Sequence, residues 1–444
     1  MFSVLQNRTF RHLFAAQVIA LFGTGLMTVG LALLAYDLAG ADAGVVLGTA
    51  LAIKMVIYVG VSPVAAGFAT RFSRRKYLVV LDLVRAGTAV ALPFVDAVWQ
   101  IYVLIALLQT ASAGFTPVFQ ATIPDILPAE KDYTNALSLS RLAYDLENLL
   151  SPAIAALLIG LVGFHWLFSG TVSGFLLSAL LVVSVSLPVA RAVSTETPLQ
   201  RTLKGLRIFL KTPRLRGLLG LNLVVAAVGA MVIVNTVVLI KDLLARSDAD
   251  LAVAMAAYGA GSMTIALLVP RLLTRWKDRT LMLLGGAILP IALAIFGGLF
   301  TVLPSGWLWG CLLIAWFVIG GATSAVLVPT GRLLRNSAHA ADRPMVFAAQ
   351  FALSHGCWLV TYPLAGWLGN AFGLPQTVTV LTFIAILGLW SAFRQWPRND
   401  DSILVHDHTD LPADHLHLAG AANKKHEHAF VIDDLHTQWP VARP

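Results

Sequence analysis

The chain has 444 residues, 58% of them hydrophobic and only 12% charged, with a formal net charge of +8. An ordinary soluble domain carries about 25% charged residues, so a chain this apolar lacks the polar surface that water demands, and lipid must solvate much of it. That excludes a soluble enzyme or a nucleic-acid-binding domain.

Arg8 and Arg11 precede an apolar stretch from Leu13 to Leu38, too long for a signal-peptide core and without a persuasive cleavage site, so it reads as a retained first helix. A span of about 20 residues crosses roughly 30 Å of hydrocarbon. Eleven further stretches of that kind follow at 44–69, 77–95, 99–123, 134–160, 165–187, 217–240, 250–273, 280–301, 306–330, 345–369 and 374–394. The predicted fold is all-α integral membrane, with 12 transmembrane helices in two pseudo-symmetric six-helix bundles. Its parts are an N-terminal bundle (1–187), a cytoplasmic inter-half loop (188–215), a C-terminal bundle (216–395) and a flexible His-rich cytoplasmic tail (396–444). Alternate loops hold 23 Lys and Arg on one side against Lys241 and Arg246 on the other. By the positive-inside rule both termini are expected in the cytoplasm of a bacterial inner (plasma) membrane. The densest basic run marks the seam between halves. Across it Thr70-Arg71-Phe72 with Arg75 recurs as Thr274-Arg275-Trp276 with Arg279, each copy joining the second and third helices of its half.

An ionisable side chain near a helix centre costs about 2.5–3.5 kcal/mol on insertion scales, so each one asks for a partner or an aqueous cavity. Lys54 lies about 15 Å into helix two, and Arg141, Asp145 and Glu147 lie about 10, 16 and 19 Å into helix five, at 1.5 Å per residue. Arg141 and Asp145 are four apart and pair on one face. Glu147 points about 200° away from Asp145. Glu147 or Asp145 is therefore expected to face a cavity as a proton-coupling carboxylate with Lys54 as its partner; the alternative is a fixed bridge that only holds helices together. Asn235 and His355 are further candidates for the translocation path. Asp82 and Arg85 are expected to form a gate-side pair beside the cluster Arg71 to Lys76. No nucleotide-binding loop and no nucleophile motif occurs, so neither enzyme activity nor direct ATP use is expected. The expected partners are the lipid bilayer, protons and a small-molecule or metal-ion substrate, with no nucleic acid and no nucleotide.

From Trp396 the chain turns polar and holds seven of its 11 histidines. They form three His-x-His doublets, His406 with His408, His415 with His417 and His426 with His428, followed by His436. Asp407, Asp410, Asp414, Glu427, Asp433 and Asp434 lie among them. Imidazole mixed with carboxylate suits nickel, zinc, copper or cobalt, so a divalent metal bound by the tail is expected, and no other cofactor. The alternative is a disordered charged tail.

Three motifs carry a resemblance. The run Ala66-Gly67-Phe68-Ala69-Thr70-Arg71-Phe72-Ser73-Arg74-Arg75 matches the basic positions of a Gly-x-x-x-Asp-Arg-x-Gly-Arg-Arg loop signature, with Thr70 at the acidic position. Ile123-Pro124-Asp125-Ile126-Leu127-Pro128 with Asn135-Ala136-Leu137 matches a fourth-to-fifth helix junction. Glu147, Ser151-Pro152 and Ala155-Ala156 stand on a helix-five exporter signature. On these motifs, residues 5 to 395 resemble the major facilitator superfamily, in its enterobactin-exporter-like and drug-efflux-like bacterial branch. The resemblance implies secondary-active, proton-coupled efflux by alternating access, with Thr70, Arg71, Arg74, Arg75, Asp82 and Arg85 as gating residues. In plan the chain is also similar to nickel-resistance exporters of that superfamily with histidine-rich C-termini. The expected cargo is therefore a divalent transition metal such as nickel; an organic compound, siderophore or drug, is the alternative, and a non-transporting receptor or scaffold the third.

Overall fold

The computed structural model describes residues 2–39, 43–69, 71–163, 165–188, 197–299, 302–398, 403–407, 417 and 425–440. Helices α1 (Arg8–Ala39), α2 (Ala43–Ala69), α3 (Arg74–Ala91), α4 (Val98–Ile126), α5 (Glu130–Val162) and α6 (Trp166–Val183) form one half. Helices α8 (Pro213–Val238), α9 (Asp248–Leu272), α10 (Asp278–Leu299), α11 (Ser305–Arg335), α12 (Arg343–Phe372) and α13 (Leu374–Gln395) form the other. Among the described residues, ten of these twelve are long and apolar enough to cross a membrane. The interior of α5 carries Arg141, Asp145 and Glu147, and that of α12 carries Gln350 and His355. Polar side chains inside such helices need neighbours to satisfy them.

The halves repeat one packing pattern. In the first, α1 packs on α5 and α6, α3 on α4 and α6, and α2 on α4; in the second, α8 packs on α12 and α13, α10 on α11 and α13, and α9 on α11. Small residues permit the closest of these crossings. Gly23 and Gly174 bring α1 against α6, and Gly220 and Gly388 bring α8 against α13, where a Cβ on Gly220 would stand 2.6 Å from the Gly388 carbonyl. The turns after α5 and α12 also match, since Gly163 and Gly373 both take φ of 85°, a left-handed conformation that costs glycine little. Across the boundary α5 packs on α9 and α12 on α2, a reciprocal exchange.

Two expectations about the connecting segments are corrected. Within the stretch read as a loop, Pro198–Lys211 folds as the amphipathic helix α7, opened by Thr197 in a capping box with Gln200 and by Pro198 at its first turn. The tail read as flexible contains an antiparallel pair, β1 (Ile403–Asp407) and β2 (Lys425–Ala429), with His406 opposite His426. Phe430 and Ile432 after β2 are buried in the hydrophobic cluster of the C-terminal half. Burying those side chains supplies about 1.5–3 kcal/mol each toward docking. The tail, α7 and the basic loops lie on one face of the bundle, called here the basic face.

Candidate functional site

Two ionic hubs close the basic face. At the first, Asp125 near the end of α4 accepts from Arg74 at the start of α3 and from Arg343 at the start of α12, at 2.6 Å each. At the second, Arg332 near the end of α11 pairs with Asp278 at the start of α10 (3.1 Å) and with Glu130 at the start of α5. Arg332 also donates to the Thr134 hydroxyl at 2.7 Å. Because α3, α4 and α12 correspond to α10, α11 and α5, the hubs are related by the pseudo-symmetry with every charge inverted. Each joins the two halves. Of the loop residues expected to gate, Arg74 takes part, Arg71 is exposed over the Phe68 ring (5.6 Å), Arg75 is exposed, and Thr70 lies outside the described residues. The acid absent at position 70 of the loop is supplied by Asp125.

Asp82 and Arg85 do pair, but not at the gate. Asp82 is fully buried and accepts from Ser178 at 2.8 Å, while the Arg85 guanidinium is held between the Phe115 ring (4.0 Å) and the Phe175 ring (4.6 Å). The aromatic sandwich fixes this pair inside the N-terminal half, away from the loops, and that expectation is corrected.

Higher in the bundle, Arg141 and Asp145 form the pair their spacing predicts, at 3.0 Å. The pair is completed from the other half. Ser262 of α9 donates to Asp145 (2.7 Å), accepts from Arg141 (3.0 and 2.9 Å) and meets Ser324 of α11 (2.7 Å). Asp145 thus belongs to the α5–α9 boundary.

Glu147 looks the other way, as its rotation predicts. Its carboxylate lies against α1, where a Cβ on Gly25 would stand 3.0 Å from Oε1, and its electrostatic partner is Lys54. The Lys54 ammonium stands 5.6 Å from the centre of the Tyr58 ring and is an electrostatic neighbour of His355 as well. Tyr58 meets His355 edge-on and Phe351 at a tilt, each at 4.8 Å, and hydrogen-bonds Ser112. Nδ1 of His355 donates to the Phe351 carbonyl at 2.7 Å. Trp358 and Tyr362 meet at a tilt, ring centres 4.8 Å apart, further along α12. Of the six translocation candidates, the fold therefore sets Lys54 and His355 at the α2–α12 boundary, leaves Glu147 of α5 against α1 within electrostatic range of Lys54, and sets Arg141 and Asp145 at the α5–α9 boundary. It places Asn235 apart, donating to the Ala365 carbonyl at 3.3 Å within the C-terminal half.

Sequence reasoning missed Tyr58, Ser262, Arg332, Glu130 and Asp278. The last three had a signal, since charges open α5 and α10 and close α11; Ser262 had none.

In the tail, His406, His417, His428 and His436 present ligand atoms within 4.8 Å of one another. His408 and His415 lie outside the described residues, and of His426 the backbone alone is described.

Residues 13–309 match the Major Facilitator Superfamily profile. An uncharacterised MFS-type transporter of Bacillus subtilis, YfiS, is 26% identical over 300 residues, which make up 65% of this chain and 69% of that one. The enterobactin exporter EntS of Shigella boydii is 27% identical over 298 residues, 65% of this chain and 68% of the exporter. Among solved structures, the human organic anion transporter MFSD10 superposes with a TM-score of 0.74 at 12% identity, over 87% of this chain and 99% of that one, a likeness of fold. With two pseudo-symmetric six-helix halves, charged hubs between them and a profile match over most of its length, this chain belongs to the Major Facilitator Superfamily and is a multi-pass membrane transporter, not an enzyme.

Proposed function

We propose that the protein is a proton-coupled exporter of an organic compound, with its basic face toward the cytoplasm. Glu147 is the carboxylate that takes up and releases the proton, and Lys54 is its counter-charge. The observation that carries this reading is the electrostatic pairing of Glu147 with Lys54, whose ammonium stands by Tyr58 and its neighbours Phe351 and His355, where α2 of one half meets α12 of the other. A group at that boundary feels the halves rock, so its charge state is coupled to which face is open. The excess of Lys and Arg in the loops of the basic face supports the orientation.

An organic cargo fits this site better than nickel. Aromatic rings dominate it, and the metal-ligating groups are Glu147 and His355, the latter with one ring nitrogen already held by a backbone carbonyl. Among the described residues, the one group of three or more potential ligands is in the tail. The name of the Shigella relative, an enterobactin exporter, supports export of an organic molecule.

Everted membrane vesicles energised by a proton gradient, given a panel of siderophores, macrolides and divalent metals, test the reading. An organic compound should be accumulated by the wild type, and Glu147→Gln should abolish accumulation at unchanged protein level. Accumulation of nickel alone, or proton-driven transport that survives Glu147→Gln, would overturn it.

A further inference from the structure

The tail holds a constellation that transport across the bilayer does not use. His406 sits on β1 and His428 on β2, on one face of the pair, while His417 comes from between the strands and His436 from beyond them. Their Nε2 atoms converge, with His406 and His436 3.0 Å apart and His417 and His428 3.3 Å apart. The opposite ring nitrogens are committed. Nδ1 of His406 donates to the Leu404 carbonyl, Nδ1 of His428 to the Ala429 carbonyl and Nδ1 of His436 to the Asp433 carboxylate, at 2.9 Å each. Those bonds put the ring proton on Nδ1, so the Nε2 atoms turn lone pairs toward one another. Converging lone pairs repel unless a cation lies among them. A tetrahedral ion with bonds of about 2.0–2.1 Å to imidazole spaces its nitrogens about 3.3 Å apart, close to the two pairs at 3.0 and 3.3 Å in a group whose ligand atoms all lie within 4.8 Å of one another.

We propose that His406, His417, His428 and His436 bind one divalent transition ion of the zinc or cobalt class, and that the ion clamps the tail onto the basic face. Four imidazoles in tetrahedral array favour zinc and cobalt over nickel and copper, which prefer square-planar or tetragonal surroundings. Asp433 orients His436 from behind, as carboxylates commonly do for metal-bound imidazole. The same carboxylate accepts from His339 (3.2 Å), in the connection between α11 and α12. Lys204 of α7 reaches both Asp434 (3.5 Å) and Asp342 (3.4 Å), and Lys211 donates to the Thr437 carbonyl (2.9 Å). Arg214, at the start of α8, lies over the Trp439 ring at 5.4 Å. An ion that fixes His436 therefore fixes a segment tied to α7, to α8 and to the residues just before Arg343 of the first hub. The proposal does not depend on what is exported.

The test uses the full-length protein without a histidine tag, in detergent, stripped by a chelator and titrated with cobalt and then zinc. Expected are one cobalt per chain with the intense visible bands of a tetrahedral site, displacement by zinc, and weaker binding of nickel. His428→Ala and His436→Ala should each weaken binding at least tenfold, and Asp433→Asn by about 10- to 100-fold, while His12→Ala leaves it unchanged. Zinc should slow hydrogen exchange of residues 425–440 in the wild type and not in His436→Ala. Absence of binding, a pale six-coordinate cobalt spectrum, or affinity retained in His428→Ala and His436→Ala but lost in His408→Ala with His415→Ala would overturn the site. Binding without slowed exchange would overturn the clamp. Circular dichroism and metal-free exchange of each variant separate a lost ligand from a lost fold.

Discussion

Ser262 on α9 donates its hydroxyl to the Asp145 carboxylate on α5 at 2.7 Å, so a residue of one half completes an ion pair that belongs wholly to the other. Asp145 is buried, and Arg141 spans the same contact. Removing the hydroxyl leaves the pair in place, whereas neutralising the acid strips a partly buried guanidinium of its partner. Ser262→Ala should therefore cost about 1 kcal/mol and Asp145→Asn about 3–5 kcal/mol. Thermal unfolding in detergent should rank the wild type above Ser262→Ala and that above Asp145→Asn. Equal midpoints for the two variants would remove the ion pair from the boundary's stability.

Asp125→Asn and Arg332→Gln each break one hub. Every 1.4 kcal/mol withdrawn from the closed basic face raises the open population about tenfold. A Leu137→Cys reporter beside Gly331, in a background without the two native cysteines, should be labelled faster from that face in either variant and fastest in the double variant. Unchanged labelling would mean that apolar packing alone holds the face shut.

Lys54 and Glu147 lie in electrostatic range within the bundle. Lys54→Gln leaves the carboxylate without its nearest opposite charge, and Glu147→Gln does the reverse, so the double substitution should be less damaging than the sum of the two. A coupling of about 0.5–3 kcal/mol in a double-mutant cycle on stability is the expected result. Strict additivity would show that the two groups do not sense each other.

In metal-free protein, docking of the tail should weaken as pH rises. His339 faces Asp433 and Asp342 on one side and Lys204 on the other, and its hydrogen bond to Asp433 raises its pKa above the ordinary value, against the opposing effect of burial. Burial also disfavours ionised Asp433, but the hydrogen bonds from His339 and His436 outweigh it and hold the carboxyl below its usual range. A raised histidine contributes fully below its undocked pKa of about 6.5 and loses that contribution as pH climbs through the docked value. Hydrogen exchange of residues 425–440 should accordingly be faster at pH 8 than at pH 6 after the intrinsic rate is divided out. In His339→Ala the difference should shrink; a full-sized difference there would assign it to another group.

Much of the fold was legible because lipid-length apolar runs and loop arginines are one-dimensional signals. The span expected at 134–160 is α5, and its start at Glu130 was missed because the first turn is charged rather than greasy. The pairing of Arg141 with Asp145 and the divergence of Glu147 followed from helical rotation alone. The location of Asp82 and Arg85 did not, since i,i+3 spacing says that two residues meet and nothing about which rings surround them. Helix α7 was hidden by its own charge, although Thr197-Pro198-Leu199-Gln200 spells a capping box. The docked tail was hidden because histidines drew attention from Phe430, Val431 and Ile432, the short apolar run that anchors it.

The inverted hubs have an electrical consequence. One is an acid serving two bases and is net positive; the other is a base serving two acids and is net negative. Carrying an elementary charge through a 100 mV membrane potential is worth about 2.3 kcal/mol, but moving these two triads together along the same direction performs opposite work on each, and the sum vanishes. A face sealed in this way would open and shut without being driven by voltage.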